Sequence, residues 1–177
     1  FNAGFSCKGV EFRDIRFTDL SKSVDPDRKA ERAVALWVLD RGGVISINGT
    51  KEVTDHASLP AVAFKLTRVK FTNAMSPFTD DDVARLADAP ELLKVEMWHA
   101  KITDAGVAKL LTMPFAAQLM QLSLESAGVT DASVKPIATK CIALKYLSLK
   151  SGRVTDDTLP ILATLPQLES LHLGGTK

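Results

Sequence analysis

Cysteine is scarce in this chain, and strong net charge and long apolar runs are absent as well. Two cysteines, Cys7 and Cys141, cannot form a disulfide framework in a chain of 177 residues. The formal net charge is +1, from 22 basic and 21 acidic side chains, which argues against a nucleic-acid or anionic-membrane surface built on bulk charge. The longest apolar run, Ala33 to Leu39, is too short to cross a bilayer.

Residue patterns that carry chemistry are missing too. His56, His99 and His172 lie in different segments, and none has a second ligand at metal-binding spacing. The acidic clusters at 80–82 and 156–157 stand at expected helix starts, where capping and the helix dipole account for them. There is no nucleophile elbow and no glycine loop for phosphate. We therefore expect a non-enzymatic protein with no metal and no cofactor.

What the sequence does contain is a repeated pattern. The segment from Leu144 to Pro166 has an apolar L-x-x-L-x-L block, a short polar bridge, Val-Thr-Asp and an apolar stretch that ends in proline. Most of the remaining sequence restates these parts in the same order. The last apolar residue of the block recurs every 24 to 27 residues, at Phe71, Met97, Leu124, Leu149 and Leu173. A fixed period of this length is the signature of a repeat protein.

Each repeat predicts one short strand. Leu147 and Leu149 are two residues apart, so they share one face of a strand while Tyr146, Ser148 and Lys150 share the other. One such unit is too small to bury its apolar face alone. We therefore expect the units to stack in an α/β fold, with the strands in one parallel sheet and the helices in a second layer.

A helix is predicted after each bridge. The Thr-Asp pair supplies an N-cap and places a carboxylate near the positive end of the helix dipole, and either residue fits the cap. In the copy that begins at Val154, Pro160 is tolerated because it lies in the first turn. The apolar stripe that predicts this helix consists of Leu159, Leu162, Ala163 and Leu165.

The repeated segment, about Leu66 to Lys177, resembles the cysteine-containing class of leucine-rich repeats in a bacterial version. The likeness rests on the Val/Ile/Phe-Thr-Asp after each bridge and on the residue before each strand block, which is Pro90, Pro114, Cys141 or Pro166. It implies a leucine-rich repeat solenoid, with a curved parallel sheet inside and helices outside. Cys141 occupies a slot that is otherwise proline, so we expect a buried structural thiol.

The sequence departs from that class in two places. The bridge from Thr72 to Pro77 is longer by two residues than the other bridges. Ser126 and Ser151 stand where many members of the class have Cys or Asn after the strand. The buried ladder that is usual at that position is therefore not expected here.

The N-terminal part is predicted to cap the repeats. Residues 1–25 form an arm, either a strand along the first repeat or a loosely held segment. Residues 26–65 form a helix plus hairpin: Asp25-Pro26 starts a helix to about Arg41, and Asn48-Gly49 is a strong hairpin signal. Trp37 is predicted to lie in the core. The cap, a degenerate first repeat, continues into residues 66–177 as one domain.

The face of the sheet that points away from the core is the candidate partner-binding surface. Trp98 stands out because an indole beside Arg68 and Lys70 has the composition of an interface centre. Alternatively, Trp98 lies flat on a neighbouring lysine stem or under the long bridge. The candidate binding residues are Arg68, Lys70, Lys94, Glu96, Trp98, Gln121, Glu125, Tyr146, Lys150 and His172.

The pattern favours a protein-protein interaction module that binds its partner on the concave sheet face and adjacent loops. The alternative is a sensory or scaffolding segment of a larger envelope-anchored or kinase-linked chain. A substrate adaptor of the F-box type is a third possibility, although no F-box-like segment precedes the repeats. The compartment stays open between cytoplasm and cell envelope.

The last repeat begins with Leu168, Leu171 and Leu173 and is not completed. We therefore expect either self-association through this open end or further repeats in the native chain.

Overall fold

The described residues fold as an α/β protein with one open, mostly parallel sheet of seven strands. The computed structural model describes residues 26–72, 77–125, 128–150 and 152–175, with side chains from residue 29 onward. The predicted arm 1–25, Ser126, Ser151 and most of the long bridge lie outside the described residues. The strands are β1 (Val44–Ile47), β2 (Lys51–Val53), β3 (Leu66–Phe71), β4 (Lys94–Trp98), β5 (Gln121–Glu125), β6 (Tyr146–Ser148) and β7 (Ser170–His172).

The predicted N-terminal helix and hairpin are both present. Helix α1 spans Pro26–Asp40, with proline at its first residue, and Gly42 follows it with a left-handed φ of 68°. Strands β1 and β2 pair antiparallel, and Asn48 and Gly49 between them have positive φ angles of 53° and 89°. A two-residue turn with both φ angles positive matches the twist of a hairpin. Strand β1 also pairs antiparallel with β3, which joins the hairpin to the main sheet.

From β3 onward the strands are parallel and follow one another in sequence order. Each connection contains a helical segment, as the repeat predicted. The segments are a 3₁₀ helix at Asp82–Asp88, α2 (Asp104–Leu110), α3 (Asp131–Lys140) and α4 (Leu159–Leu162), with further 3₁₀ turns at Ala116–Gln118 and Asp156–Thr158.

The core lies between the sheet and the helical segments. One row of it runs straight across the parallel strands in register, through Val69, Val95, Leu122 and Leu147, all fully buried. Helix residues such as Ile137 close the same core from the other side. The predicted strand alternation is therefore confirmed. Trp37 packs against this core and is partly buried.

The predicted apolar stripe of α4 is only half right. Leu162 and Leu165 are buried, but Leu159 is 42% exposed and Ala163 is exposed. A 3₁₀ turn at Asp156–Thr158 precedes α4. Because a 3₁₀ turn has 3.0 residues rather than 3.6, it changes the helical phase, and Leu159 points outward.

The Thr-Asp pairs join neighbouring units, which the sequence did not predict. Thr103 and Thr130 cap their own helices, as expected, by accepting a hydrogen bond from the N–H two residues on. Each also donates to the aspartate of the preceding unit: the N–H and Oγ1 of Thr103 lie 2.8 and 2.6 Å from the two carboxylate oxygens of Asp80. Asp80 therefore does not cap its own helix. It links its unit to the next one.

The same contact occurs three times. Thr130 donates to Asp104 from N and Oγ1 at 2.9 and 2.6 Å, and Thr155 donates to Asp131 at 2.7 and 2.8 Å. We call these three contacts the Thr–Asp ladder. Gly106 lies under its first rung, where a Cβ would come within 2.6 Å of Ile102 Cγ1 and would also collide with the Asp80 carboxylate. The close approach of the units thus requires glycine there.

Candidate binding face

The residues on the sheet face opposite the core form rows across the parallel strands. The register places Arg68 beside Lys94, Lys94 beside Gln121, and Gln121 beside Tyr146. A second row brings together Lys70, Glu96, Ser123, Ser148 and His172, and Trp98 pairs with Glu125 in a third. The predicted site residues on the strands therefore lie on one face. Lys150 follows β6 on the same side as Gly174, whose added Cβ would lie 4.0 Å from Lys150 Cγ.

Arg68 is held between two glutamates. Its Nε donates to Glu96 Oε1 at 2.6 Å, and its Nη1 donates to Glu52 Oε2 at 2.9 Å. Burial alone would lower the pKa of Arg68, but the hydrogen bonds and negative charges of Glu96 and Glu52 raise that pKa above its usual value. The guanidinium is therefore a cation held in place through two of its nitrogens, Nε and Nη1.

Glu96 was predicted as an accessible partner contact, and the structure corrects this. The side chain is on the predicted face, but the residue is only 5% exposed. Because it lies under the guanidinium of Arg68, it balances that charge rather than offering a free carboxylate. Alternation along a strand predicts the face of a side chain and does not predict which long neighbour covers it.

Trp98 contacts Lys70 through its ring. The Lys70 Nζ lies 4.0 Å from the ring centroid, a cation–π contact that occupies one ring face. The indole is half-buried, so part of its surface faces solvent beside Glu125. This arrangement agrees in part with the alternative in which the indole rests on a lysine, although the contact is with the ammonium group. The accessible part of the indole is still available to a partner.

Tyr146 and His172 form an aromatic pair at the other end of the face. Their ring centroids are 5.0 Å apart with an interplanar angle of 34°. Ser170 Oγ lies 3.1 Å from His172 Nε2, within hydrogen-bond distance. Sequence reasoning named Tyr146 and His172 separately and missed their contact. The contact could have been predicted from their positions on adjacent parallel strands, because His172 lies two residues beyond the residue that pairs with Tyr146.

Between the Trp98–Lys70 contact and the Tyr146–His172 pair, the side chains on this face are buried. Ser123 and Ser148 are buried although they point away from the core. Among the buried side-chain polar atoms of the described residues, Ser148 Oγ is the one without a hydrogen-bond partner. This strip presents little accessible surface.

The remaining predicted residues differ in exposure. Lys94 and His172 are exposed, whereas Gln121, Glu125 and Lys150 are half-buried. Lys94 also lines a small cavity of about 180 Å³ next to Arg68. Most of the long bridge from Thr72 to Pro77, one of the loops adjacent to the face, lies outside the described residues, and Pro77 at its end is half-buried.

The remaining groups that sequence reasoning considered are the histidines, the acidic clusters and Cys141. No cluster of three or more His, Cys, Asp or Glu side chains there could hold a metal ion. Cys141 is buried and unpaired, as predicted, and burial raises the pKa of its thiol to about 12. Across the same ranges, no helix has both the length and the apolar character needed to cross a bilayer.

No protein-family model matches the chain, and no curated protein matches its sequence.

Proposed function

We propose that this chain is a leucine-rich repeat solenoid that acts as a non-enzymatic protein-interaction module, with its partner on the concave sheet face. Three features support the solenoid. The apolar residues recur every 24 to 27 positions, the parallel strands follow sequence order, and the Thr–Asp ladder repeats one contact between successive units. Helices about 10 Å wide stacked behind strands about 4.8 Å apart would curve the sheet inward.

The observation that carries the binding proposal is the state of Trp98. Tryptophan is costly to leave in water, yet this indole is half-exposed on the sheet face opposite the core. Lys70 holds one ring face, so the ring is preoriented and loses little freedom when a partner covers the other. Preoriented aromatic side chains of this kind dominate many interfaces.

The size of the face limits the partner. Seven strands about 4.8 Å apart, each exposing about 15 Å, give a projected area on the order of 400 Å². A standard interface buries about 800 Å² on each partner. The face therefore suits a short segment of a partner protein, and a larger partner must also contact a rim of the sheet.

A selection experiment tests the proposal. A display library of natural protein fragments is selected on the parent chain, and the recovered fragments are then tested on the Trp98→Ala and Lys135→Ala variants. We expect recovered fragments to bind the parent chain and the Lys135→Ala variant equally, because Lys135 lies on the helical side in α3. Fragments that bind Trp98→Ala as well as the parent, and lose binding on Lys135→Ala, would place the interaction on the helices and refute the proposal.

A further inference from the structure

An open groove lies between α2 and α3 on the helical side of the molecule, away from the candidate binding face. Its volume is about 390 Å³. Its apolar lining comes from Leu111, which is buried, and from Ala108 and Pro136, which are exposed. No acidic side chain of the described residues lines it.

The polar side chains of the groove are two threonines and two lysines. Thr112 Oγ1 donates to the carbonyl of Lys109 at 2.7 Å, and Thr139 Oγ1 donates to the carbonyl of Lys135 at 2.9 Å. Both hydroxyl hydrogens are therefore used within the chain. Lys135 and Lys140 are exposed, and neither ammonium pairs with a carboxylate of the described residues. The groove thus combines an apolar lining with two uncompensated positive charges.

The size of the groove limits its occupant. Helix α2 has 7 residues, so at about 1.5 Å per residue the groove is about 10 Å long. A partner protein in a standard interface contacts about 20–30 residues on each side, and anionic membranes attract clusters of about 4–8 basic residues. The few residues that line this groove include two lysines, too few for either occupant. A volume of about 390 Å³ is instead within the range of small-ligand sites.

We propose that the groove between α2 and α3 binds a small amphiphile that carries one carboxylate, such as a short fatty acid. The acyl chain lies on Leu111, Ala108 and Pro136, and the carboxylate pairs with Lys135 or Lys140 at the rim. This site is separate from the Trp98 face and does not rest on the function proposed for that face.

The chemistry of the groove selects this ligand. The two lysines are five residues apart on α3, which separates them by about 7.5 Å along the helix and about 140° around it. Ammoniums so placed do not converge on one phosphate dianion, and each is a point charge that can pair with a monoanion. A neutral lipid would leave both ammoniums without an acceptor. A hydrophilic anion would leave the apolar lining in water, whereas a fatty acid satisfies both parts.

Titration of octanoate, below its micelle concentration, into the isotope-labelled full chain tests the site. Nuclear magnetic resonance shifts should concentrate on Ala108, Leu111 and Thr139 and should saturate. The double variant with Lys135→Ala and Lys140→Ala should bind octanoate at least about fivefold more weakly, as expected for lost ion pairs that are partly solvated.

Matched variants separate the groove from its surroundings. Lys51→Ala combined with Lys101→Ala removes the same charge from exposed positions outside the groove and should leave the affinity within about twofold. Ala108→Glu places a carboxylate in the groove and should weaken octanoate binding at least about tenfold, because like charges repel. Ala105→Glu, at an exposed position of α2 outside the groove, should leave it within about twofold. Equal binding by Ala108→Glu and the parent would overturn the proposal.

Two further probes test the head group. Octanamide has a chain of the same length without the charge, so it should bind the parent more weakly than octanoate does. It should also bind the double lysine variant as it binds the parent. Octyl phosphate should bind no more tightly than octanoate. Equal binding of octanoate and octanamide, or tighter binding of octyl phosphate, would show that the groove does not select a carboxylate.

Other occupants give different results. If octanoate causes no saturable shifts, the amphiphile site is wrong. Binding to vesicles of anionic phospholipid that the double lysine variant loses, without octanoate binding, would identify a membrane surface, and displayed fragments that require Lys135 would identify a polypeptide. Trp98→Ala should bind octanoate like the parent, so a failure of this site and a failure of the Trp98 face are distinguishable.

Discussion

Thr130 donates both its N–H and its hydroxyl to the two carboxylate oxygens of Asp104, 26 residues earlier in the chain. Since Ser133 donates to the same carboxylate, one side chain receives three hydrogen bonds from the following unit. The contact joins two successive units through residues that are far apart in sequence. It also orients the threonine that caps α3. Stability of the stack should therefore depend on this aspartate.

Asp104→Ala should lower the free energy of unfolding by about 2–3 kcal/mol, because it leaves three donors without their charged acceptor. Asp157→Ala, which removes an exposed carboxylate outside the ladder, should change it by less than about 0.5 kcal/mol. Urea denaturation followed by circular dichroism measures both. Equal midpoints for the two variants would show that the ladder adds nothing to stability.

The Asp104 contact also predicts a pH dependence. Burial alone would raise the pKa of Asp104, but hydrogen bonds from Ser133 and Thr130 lower it below the ordinary value of 3.8. A carboxyl group with a lowered folded pKa stabilises the native state above its unfolded pKa, and this contribution is lost as pH falls through the folded pKa. The stability of the parent should therefore fall below about pH 4 more steeply than that of Asp104→Asn. Parallel stability profiles for the two chains between pH 5 and pH 3 would contradict this.

The N-terminal cap should be needed for stability because α1 packs on β1 and on β3, the first of the parallel strands. Val38 is fully buried, and Trp37 packs with ring centroids 5.3 Å from Phe71. Val38→Ala should cost about 2 kcal/mol, whereas Val62→Ala, at a position 72% exposed, should cost almost nothing. Removal of residues 1–43 should abolish cooperative thermal unfolding, since each unit depends on its neighbour. A truncated chain that keeps its thermal midpoint would refute the capping role.

Cys141 should behave as an inert core thiol. Its pKa of about 12 and its complete burial leave almost no reactive thiolate at neutral pH. A thiol reagent should label Cys141 at the rate of global unfolding, and addition of urea should accelerate labelling in step with the loss of circular dichroism. Labelling of the folded chain at the rate of a free cysteine peptide would contradict the burial.

Much of the fold followed from local signals. Asn48-Gly49 predicted the hairpin turn because both positions adopt positive φ at low cost. The two-residue spacing of Leu122 and Leu124 predicted which strand face is buried, since successive side chains alternate. Such features depend on residues a few positions apart, so the sequence alone contains them.

The site needed information that local patterns lack. Glu96 and Lys94 point to the same face of β4, yet Glu96 is buried under Arg68 and Lys94 is exposed. The difference arises because side chains on adjacent strands differ in length and therefore in which neighbours they cover. Within its own segment, the position of Asp80 suggests only an interaction with the helix dipole. The groups that donate hydrogen bonds to its carboxylate belong to Thr103, 23 residues later. The sequence signal for this contact was the recurrence of Thr-Asp in every unit. Helix capping requires the threonine but does not require an aspartate after it, so the repeated aspartate indicated a further role.

The central claim is that Trp98 anchors a partner on the concave face, and a titration of the selected fragment against three chains tests it most directly. Trp98→Ala should cost about 2 kcal/mol or more of binding free energy, while its stability falls by no more than about 1 kcal/mol from the lost Lys70 contact. Lys150→Ala, away from the indole, should cost much less binding energy. If Trp98→Ala instead lowers stability by several kcal/mol and binds the fragment like the parent, the indole is structural and the concave-face account is wrong.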